Sequence, residues 1–228
     1  MGEPAALNVK VKACGTTSVE DALLAERFGV DFIGVLVDVP FSERSVDLGT
    51  AARIAGAVRT PCVLVIYGMP FYRIVLADLL VRPYAFQLLD DSPPGRVSAL
   101  KRWIGARIWK SIFLPPEGEE RGDEVERVVR EIEAYKEAGV EAVLLDTVSS
   151  GRRGGTGKRH SWDLASQIVR SVDLPIFLSG GITPQNVDEA IRKVKPYGID
   201  LCSGIERERG RRDSGKLKEL MEKVREIR

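Results

Sequence analysis

Eight short apolar runs, each followed by a stretch of helical character, recur along 228 residues without a break in composition. Evenly spaced strand–helix units with short connections imply a parallel sheet, and eight of them close naturally into a ring. The second run, Asp31–Val37, is almost continuously apolar, as a strand covered on both faces should be. These observations predict an α/β fold, a single-domain (β/α)8 TIM barrel over residues 1–228, with residues 1–8 as a loose N-terminal lead-in. An open doubly wound sheet is the alternative, and it would not need all eight units.

Each element has a local reason. Val9–Cys14 alternates as a first strand, and Gly15–Ser18 turns the chain. Ser18 with Asp21 three residues on resembles a capping box and starts a helix over Val19–Phe28, which Gly29 stops. After Asp31–Val37, Pro40–Asp47 reads as a polar loop and Leu48–Val58 as a helix ended before Pro61. Cys62–Tyr67 is the third strand, and Pro70–Leu80 a helix with its proline acceptable in the first turn. Tyr84–Leu89 is strand four, Arg96–Trp103 a short helix, Arg107–Phe113 strand five and Pro115–Gly122 a surface excursion. Asp123–Ala138 carries Val125, Val128, Val129, Ile132 and Tyr135 at helical spacing. Glu141–Asp146 is strand six, followed by a glycine loop and a helix over Ser161–Val172. Leu174–Leu178 is strand seven; Thr183 caps and Pro184 opens a helix reaching Lys195. Gly198–Cys202 is strand eight, and Ser214–Ile227 the last helix.

Composition narrows the function. Lys plus Arg total 34 against 33 for Asp plus Glu, a net charge of +1, which argues against an obligate polyanion such as nucleic acid. The nearest basic patch, Glu206–Asp213, is blunted by its own acids. Three distant cysteines, one histidine and no CxxC spacing argue against a Cys/His zinc site. No signal-like segment and no run of ~18 apolar residues is present, so no membrane partner and a cytoplasmic location are expected.

In a barrel the chemistry gathers where strands end and βα loops begin. Strand one exits into Cys14, strand two into a loop bearing Arg44, and strand six into Asp146. Strands seven and eight exit into Gly180-Gly181 and Ser203-Gly204, where backbone N–H groups can hold a phosphate. Between strand six and its helix lies Gly151–Lys158, whose Gly155 and Gly157 let backbone approach a ligand beside Arg152, Arg153, Lys158 and Arg159. Singly, each feature has a bland reading: a buried small hydrophobe, a turn cap, a solvated pair of Arg44 with Glu43, a tight turn or a solvated loop. Together at one rim they describe a site for a phosphorylated small molecule. Cys62 and Cys202 read as buried hydrophobes and His160 as a partly exposed loop residue outside the proton transfers.

Val11-Lys12-Ala13-Cys14-Gly15, Leu144-Leu145-Asp146, Gly154-Gly155-Thr156-Gly157-Lys158, Ser179-Gly180-Gly181-Ile182 and Ser203-Gly204-Ile205-Glu206 together resemble the phosphoribosylanthranilate isomerase family, phosphate-binding (β/α)8 barrels of tryptophan biosynthesis. The resemblance spans nearly the whole chain and is thin between about Pro61 and Gly122. It implies an aldose–ketose isomerase needing no cofactor and acting by general acid–base catalysis, an Amadori rearrangement. Cys14 would be the base, Asp146 the acid, Arg44 the binder of the anthranilate part, and Gly180, Gly181, Ser203 and Gly204 the phosphate site. The chain departs from the family at Glu43, where a proline is usual, at Leu89-Asp90, where His-Gly is usual, and at Tyr67-Gly68, where Asn or Asp stands. These departures fall at the aromatic end of the substrate and imply a remodelled pocket or another phosphorylated sugar. The base would need nearby positive charge to lower its pKa, and Lys12 is expected on the wrong face of its strand to supply it. A non-catalytic binding barrel would not need both Cys14 and Asp146, and an aldolase-like relative would use a lysine such as Lys110. Monomer and homodimer both remain open.

Overall fold

A computed structural model describes residues 7–149, 152–153 and 160–228, and among them eight parallel strands close into a barrel wrapped by eight helices. The strands are β1 (Lys10–Ala13), β2 (Phe32–Val37), β3 (Cys62–Ile66), β4 (Ala85–Leu88), β5 (Arg107–Leu114), β6 (Ala142–Ser149), β7 (Ile176–Leu178) and β8 (Gly198–Leu201). The helices are α1 (Val19–Phe28), α2 (Leu48–Ala57), α3 (Phe71–Val81), α4 (Pro94–Lys101), α5 (Glu124–Glu137), α6 (Trp162–Ser171), α7 (Val187–Val194) and α8 (Ser214–Ile227). Each strand pairs with its neighbours in chain order, and β8 closes on β1 with Lys12 opposite Asp200. None of the described helices is long and apolar enough to cross a membrane.

Because side chains alternate along a strand, each strand feeds two different environments. Val11, Ala13, Ile33, Val35, Leu64, Ile66, Phe86 and Leu88 turn outward and pack with the helices in the largest apolar cluster. The opposite set fills the barrel in layers. Phe32, Val63, Ala85, Trp109, Leu144 and Phe177 make an aromatic floor, with Trp109 and Phe177 stacked at 4.9 Å and Phe32 edge-on to Trp109 at 5.1 Å. One step up come the buried polar residues Lys12, Gln87, Ser111 and Asp200, with Gln87 donating to Ser111 Oγ at 2.9 Å. The next step carries Cys14, Leu36, Val65 and Leu89, with Tyr67, Phe113 and Cys202 against them. The floor is buried and its rings are in mutual contact; the reactive end therefore stands on a packed base.

Several boundaries differ from the sequence reading for local reasons. The loop after β2 is not wholly irregular, because Ser45–Val46 returns to pair in parallel with Leu36 and Val37. Helix α4 begins earlier than expected, at Pro94, since a proline at the first position sacrifices no hydrogen bond. Helix α7 begins later, at Val187: Asn186 closes the preceding turn, accepting from Thr183 N at 2.8 Å and donating to Gly181 O at 2.9 Å. Strand β6 continues past Asp146, and Val148 and Ser149 pair antiparallel with Arg153 and Arg152. The rest of the glycine loop, including Gly155 and Gly157, lies outside the described residues. The charged run after β8 is ordered: Glu206–Glu208 pairs with Arg211–Arg212 as a hairpin.

Candidate active site

The barrel's upper end gathers Cys14, Asp146, Ser179 and Asp200 around the ammonium of Lys12. Lys12 and Cys14 are two residues apart on one strand, so they share a face, and the expectation that Lys12 points away is wrong. Lys12 is fully buried and its Nζ meets Asp200 Oδ1 at 2.7 Å. Ser179 Oγ donates to the other oxygen of Asp200 at 3.4 Å. The Lys12 ammonium also acts on the nearby Cys14 thiol, favouring its charged form against the larger effect of burial. Burial works to lower the Lys12 pKa, but Asp200 and Cys14 outweigh it and hold the group charged.

Room for this cluster comes from Gly34 on the adjacent strand. A Cβ there would stand 2.9 Å from Cys14 Sγ and 3.0 Å from Lys12 Cε, so a side chain would displace both. Gly15, at φ +76°, serves similarly: its missing Cβ leaves space for Arg44 Cδ, which would otherwise lie 2.6 Å away. Arg44 comes from the loop after β2, is buried, and grips Glu206 with two parallel hydrogen bonds, Nε to Oε1 at 2.8 Å and Nη2 to Oε2 at 2.7 Å.

Asp146 sits at intermediate exposure, with Oδ1 accepting from Thr147 N at 2.7 Å. Burial pushes its pKa up to about 6, the Thr147 N–H opposes that, and the neighbouring Asp200 carboxylate adds to it. Such a carboxyl can be protonated near neutrality. Burial also pushes the Cys14 thiol up, and Asp200 adds to the shift against Lys12 and Arg212. Desolvation thus outweighs the cations, and the thiol lies above its ordinary value.

Gly180 and Gly181 follow β7 in successive left-handed conformations, φ +85° and +68°. Ser203–Ile205 forms one 3-10 turn after β8, and a Cβ on Gly204 would lie 1.9 Å from Ile182 O. That contact seats the β8 exit directly against the β7 exit, giving one rim of exposed backbone.

A family model described as N-(5'phosphoribosyl)anthranilate (PRA) isomerase matches residues 11–223. The chain is 39% identical over 219 residues to the N-(5'-phosphoribosyl)anthranilate isomerase of Methanocella arvoryzae, covering 95% of this chain and 98% of that relative. The chain belongs to the phosphoribosylanthranilate isomerase family. Among solved members of that family, the protein of Thermococcus kodakaraensis shares 35% identity at a TM-score of 0.80, covering 95% and 99% of the two chains. A family member in complex with reduced 1-(o-carboxyphenylamino)-1-deoxyribulose 5-phosphate aligns at 25% identity and a TM-score of 0.78, covering 96% and 99%. Monomers of the dimeric family member from Thermotoga maritima align at 26% and 0.79, with the same coverage.

Other sequence readings need correction. Within this family member His160 is fully buried rather than partly exposed, with Nδ1 3.0 Å from Thr147 Oγ1. Burial lowers its pKa to about 4, so the ring is neutral at pH 7. Cys202 borders the site beside Gly15 and Arg44 instead of sitting in the apolar core, whereas Cys62 is indeed core. Lys110 turns outward, its Nζ donating to Ser111 O and lying 5.3 Å from the Tyr135 ring, so strand five offers no lysine to the centre. Lys12 was read as facing away and no role was read for Asp200 or Ser179, although a charge inside an apolar strand two residues from a candidate group was a usable signal.

Removing one member of the buried Lys12–Asp200 pair leaves the other charge without its counter-ion, a loss of about 3–5 kcal/mol. K12M should therefore lower the urea midpoint steeply, while K12M/D200N recovers a large part of it. A K12M protein as stable as wild type would show that the pair is not a structural constraint.

Proposed function

We propose that this protein converts N-(5-phosphoribosyl)anthranilate to 1-(2-carboxyphenylamino)-1-deoxyribulose 5-phosphate, using Cys14 as base and Asp146 as acid and no cofactor. The observation that carries this reading is the gathering of a thiol and a carboxyl of raised pKa around one buried ammonium, at the same rim as the glycine-rich β7 and β8 exits. Asp146 gives its proton to the ring oxygen, the C1–O bond breaks, and a C1=N iminium forms. Cys14 takes the C2 proton, leaving an enolamine that tautomerises to the C2 ketone. Gly180, Gly181, Ser203 and Gly204 hold the phosphate through backbone N–H groups, Arg44 takes the anthranilate carboxylate, and Gly155 and Gly157 are assigned to substrate binding from the sequence alone. The apolar wall of Leu36, Val65, Tyr67, Leu89 and Phe113 suits an aromatic ring. We further propose that the protein folds as one domain and works in the cytoplasm.

The active form, thiolate with protonated Asp146, carries the same charge as the dominant form with a thiol and a carboxylate. The two differ only in where one proton sits. The profile of kcat/KM should therefore rise with pH through about 6, level off, and fall only above the ordinary thiol range. Following the fluorescence loss of freshly made substrate, C14S and D146N should each lower kcat by roughly 10²–10⁴-fold while still binding a product analogue. Wild-type protein without turnover would end the isomerase reading; turnover retained in C14S would move the base elsewhere.

Lysine cannot reproduce the two-pronged grip of an arginine on a carboxylate. R44K should raise KM more than it lowers kcat, and an unchanged KM would remove Arg44 from the substrate.

Of monomer and homodimer, the surface favours the second. Helix α3 exposes Tyr72, Leu76, Leu79 and Leu80, with Trp103 alongside and edge-on to Phe71 at 6.2 Å. A contiguous apolar face of this kind marks an association surface, and a family relative is dimeric. Sedimentation should give twice the chain mass for wild type and a monomer for L79E; a monomeric wild type would overturn the assignment.

A further inference from the structure

The charged run Glu206–Arg212 buries only its two ends and the glycine at its tip. Arg207, Glu208, Arg209 and Arg211 face solvent, whereas Glu206, Gly210 and Arg212 are buried. Gly210, at φ +75°, forms the tip, and a Cβ there would meet Thr17 Cγ2 at 2.9 Å. Thr17 Oγ1 donates to Gly210 O at 2.7 Å, so the hairpin lies directly on the turn that follows Cys14. Its two buried charges do different things. Glu206 takes the Nε–Nη2 edge of Arg44, and Gly210 N donates to Glu206 Oε1 at 3.1 Å, which fixes the carboxylate in turn. That leaves the opposite edge of the guanidinium, Nη1 with the second Nη2 proton, for an external acceptor.

Arg212 reaches the base from behind. Its Nη2 donates to the main-chain oxygen of Cys14 and to Thr16 Oγ1 at 3.0 Å. Its backbone N donates to Asp21 Oδ1 at 3.1 Å, and Arg211 lies 3.9 Å from the other oxygen of that carboxylate. The Nε and Nη1 of Arg212 are buried without a hydrogen-bond partner, and no carboxylate among the described residues forms an ion pair with its guanidinium. Glu20, Asp21, Arg207 and Asp213 line the cleft on its outer side. A buried cation left uncompensated is costly unless something else in the site uses its charge.

We propose that the Glu206–Arg212 hairpin is the positioning element of this site: Glu206 presents one edge of Arg44 to a substrate carboxylate, and Arg212 anchors the main chain of Cys14 and places a permanent positive charge behind its sulfur. The assignment rests on Cys14 and Arg44 meeting substrate as proposed above. Both residues act through another group, and so both are positioning residues.

Three variants test it. Glutamine keeps the length of Glu206 but turns an amide N–H toward Arg44, so E206Q should raise KM about tenfold and leave kcat within about threefold. R212M should lower kcat at least tenfold with KM nearly constant, and R212K, which keeps the charge, should recover part of it. A readout independent of substrate is the pH dependence of Cys14 alkylation by iodoacetamide, located by peptide mass spectrometry apart from Cys62 and Cys202. R212M should move that profile to higher pH and R212K should move it less, whereas a merely structural arginine would leave it in place. An unchanged alkylation profile in folded R212M overturns the Arg212 assignment, and an unchanged KM in E206Q overturns that of Glu206. If wild type fails to turn over the aminosugar, the isomerase reading falls separately. The alkylation profile, with calorimetric binding of the product analogue to E206Q, then decides the hairpin's role.

Discussion

The ion pair between Lys12 and Asp200, 2.7 Å apart and sealed from water, is the constraint around which the upper barrel is arranged. Burying two charges costs several kcal/mol per ion before their attraction offsets it, so every neighbour must help. The geometry supplies that help through backbone register. Lys12 and Asp200 are Cα partners on the strands that close the barrel, so their side chains emerge side by side on one face. Beneath them the aromatic floor of Trp109, Phe177 and Phe32 keeps water from entering from below. Ser179 meets the second carboxylate oxygen, and the Cys14 sulfur shares with the lysine stem the space that Gly34 leaves open. The closure of the fold and the electrostatics of the site therefore rest on the same pair.

A site this crowded depends on atoms that are absent. Gly34 leaves room for the thiol and the lysine stem, and Gly204 lets the β8 exit touch the β7 exit. Neither glycine is needed for a turn: Gly34 lies inside a strand, where it weakens the local backbone by losing side-chain packing. That loss is tolerated because the alternative, any Cβ, would displace both the Cys14 thiol and a buried cation. A destabilised residue inside a strand is here the visible cost of function.

Most of the barrel was legible from periodicity and caps. Ser18, Asp47 and Ser161 each accept a hydrogen bond from the third residue on, as residues of their type before a helix should. Cys14, Arg44 and Asp146 were legible because reactive residues at strand ends concentrate at one rim of such a fold. What escaped was long-range. Glu206 meets Arg44 across 162 residues, and Arg212 meets Cys14 across 198. A run of alternating charges looks like solvated surface when only local spacing is read, since burial of its two ends is decided by the β1 turn against which it folds. The depressed basicity of His160 was equally hidden, because it follows from burial alone.

The same hairpin explains how the loop carrying Arg44 tolerates losing its family proline. A proline before the arginine would restrict the loop by fixing φ and reducing the entropy of the unfolded chain. This chain has Glu43 there, and Glu43 pairs with Arg209 on the exposed side of the hairpin while Arg44 pairs with Glu206 on its buried side. Phe41 in turn packs edge-on to Tyr67 at 4.8 Å, so the residue that replaces the usual Asn or Asp at the β3 exit also holds the loop. The exposed pair alone would contribute little in water. Acting with the buried bidentate pair and the aromatic contact, it restrains a short segment from three sides. Rigidity that a proline would write into the backbone is here written into contacts between loops, and Glu43 and Tyr67 supply it together.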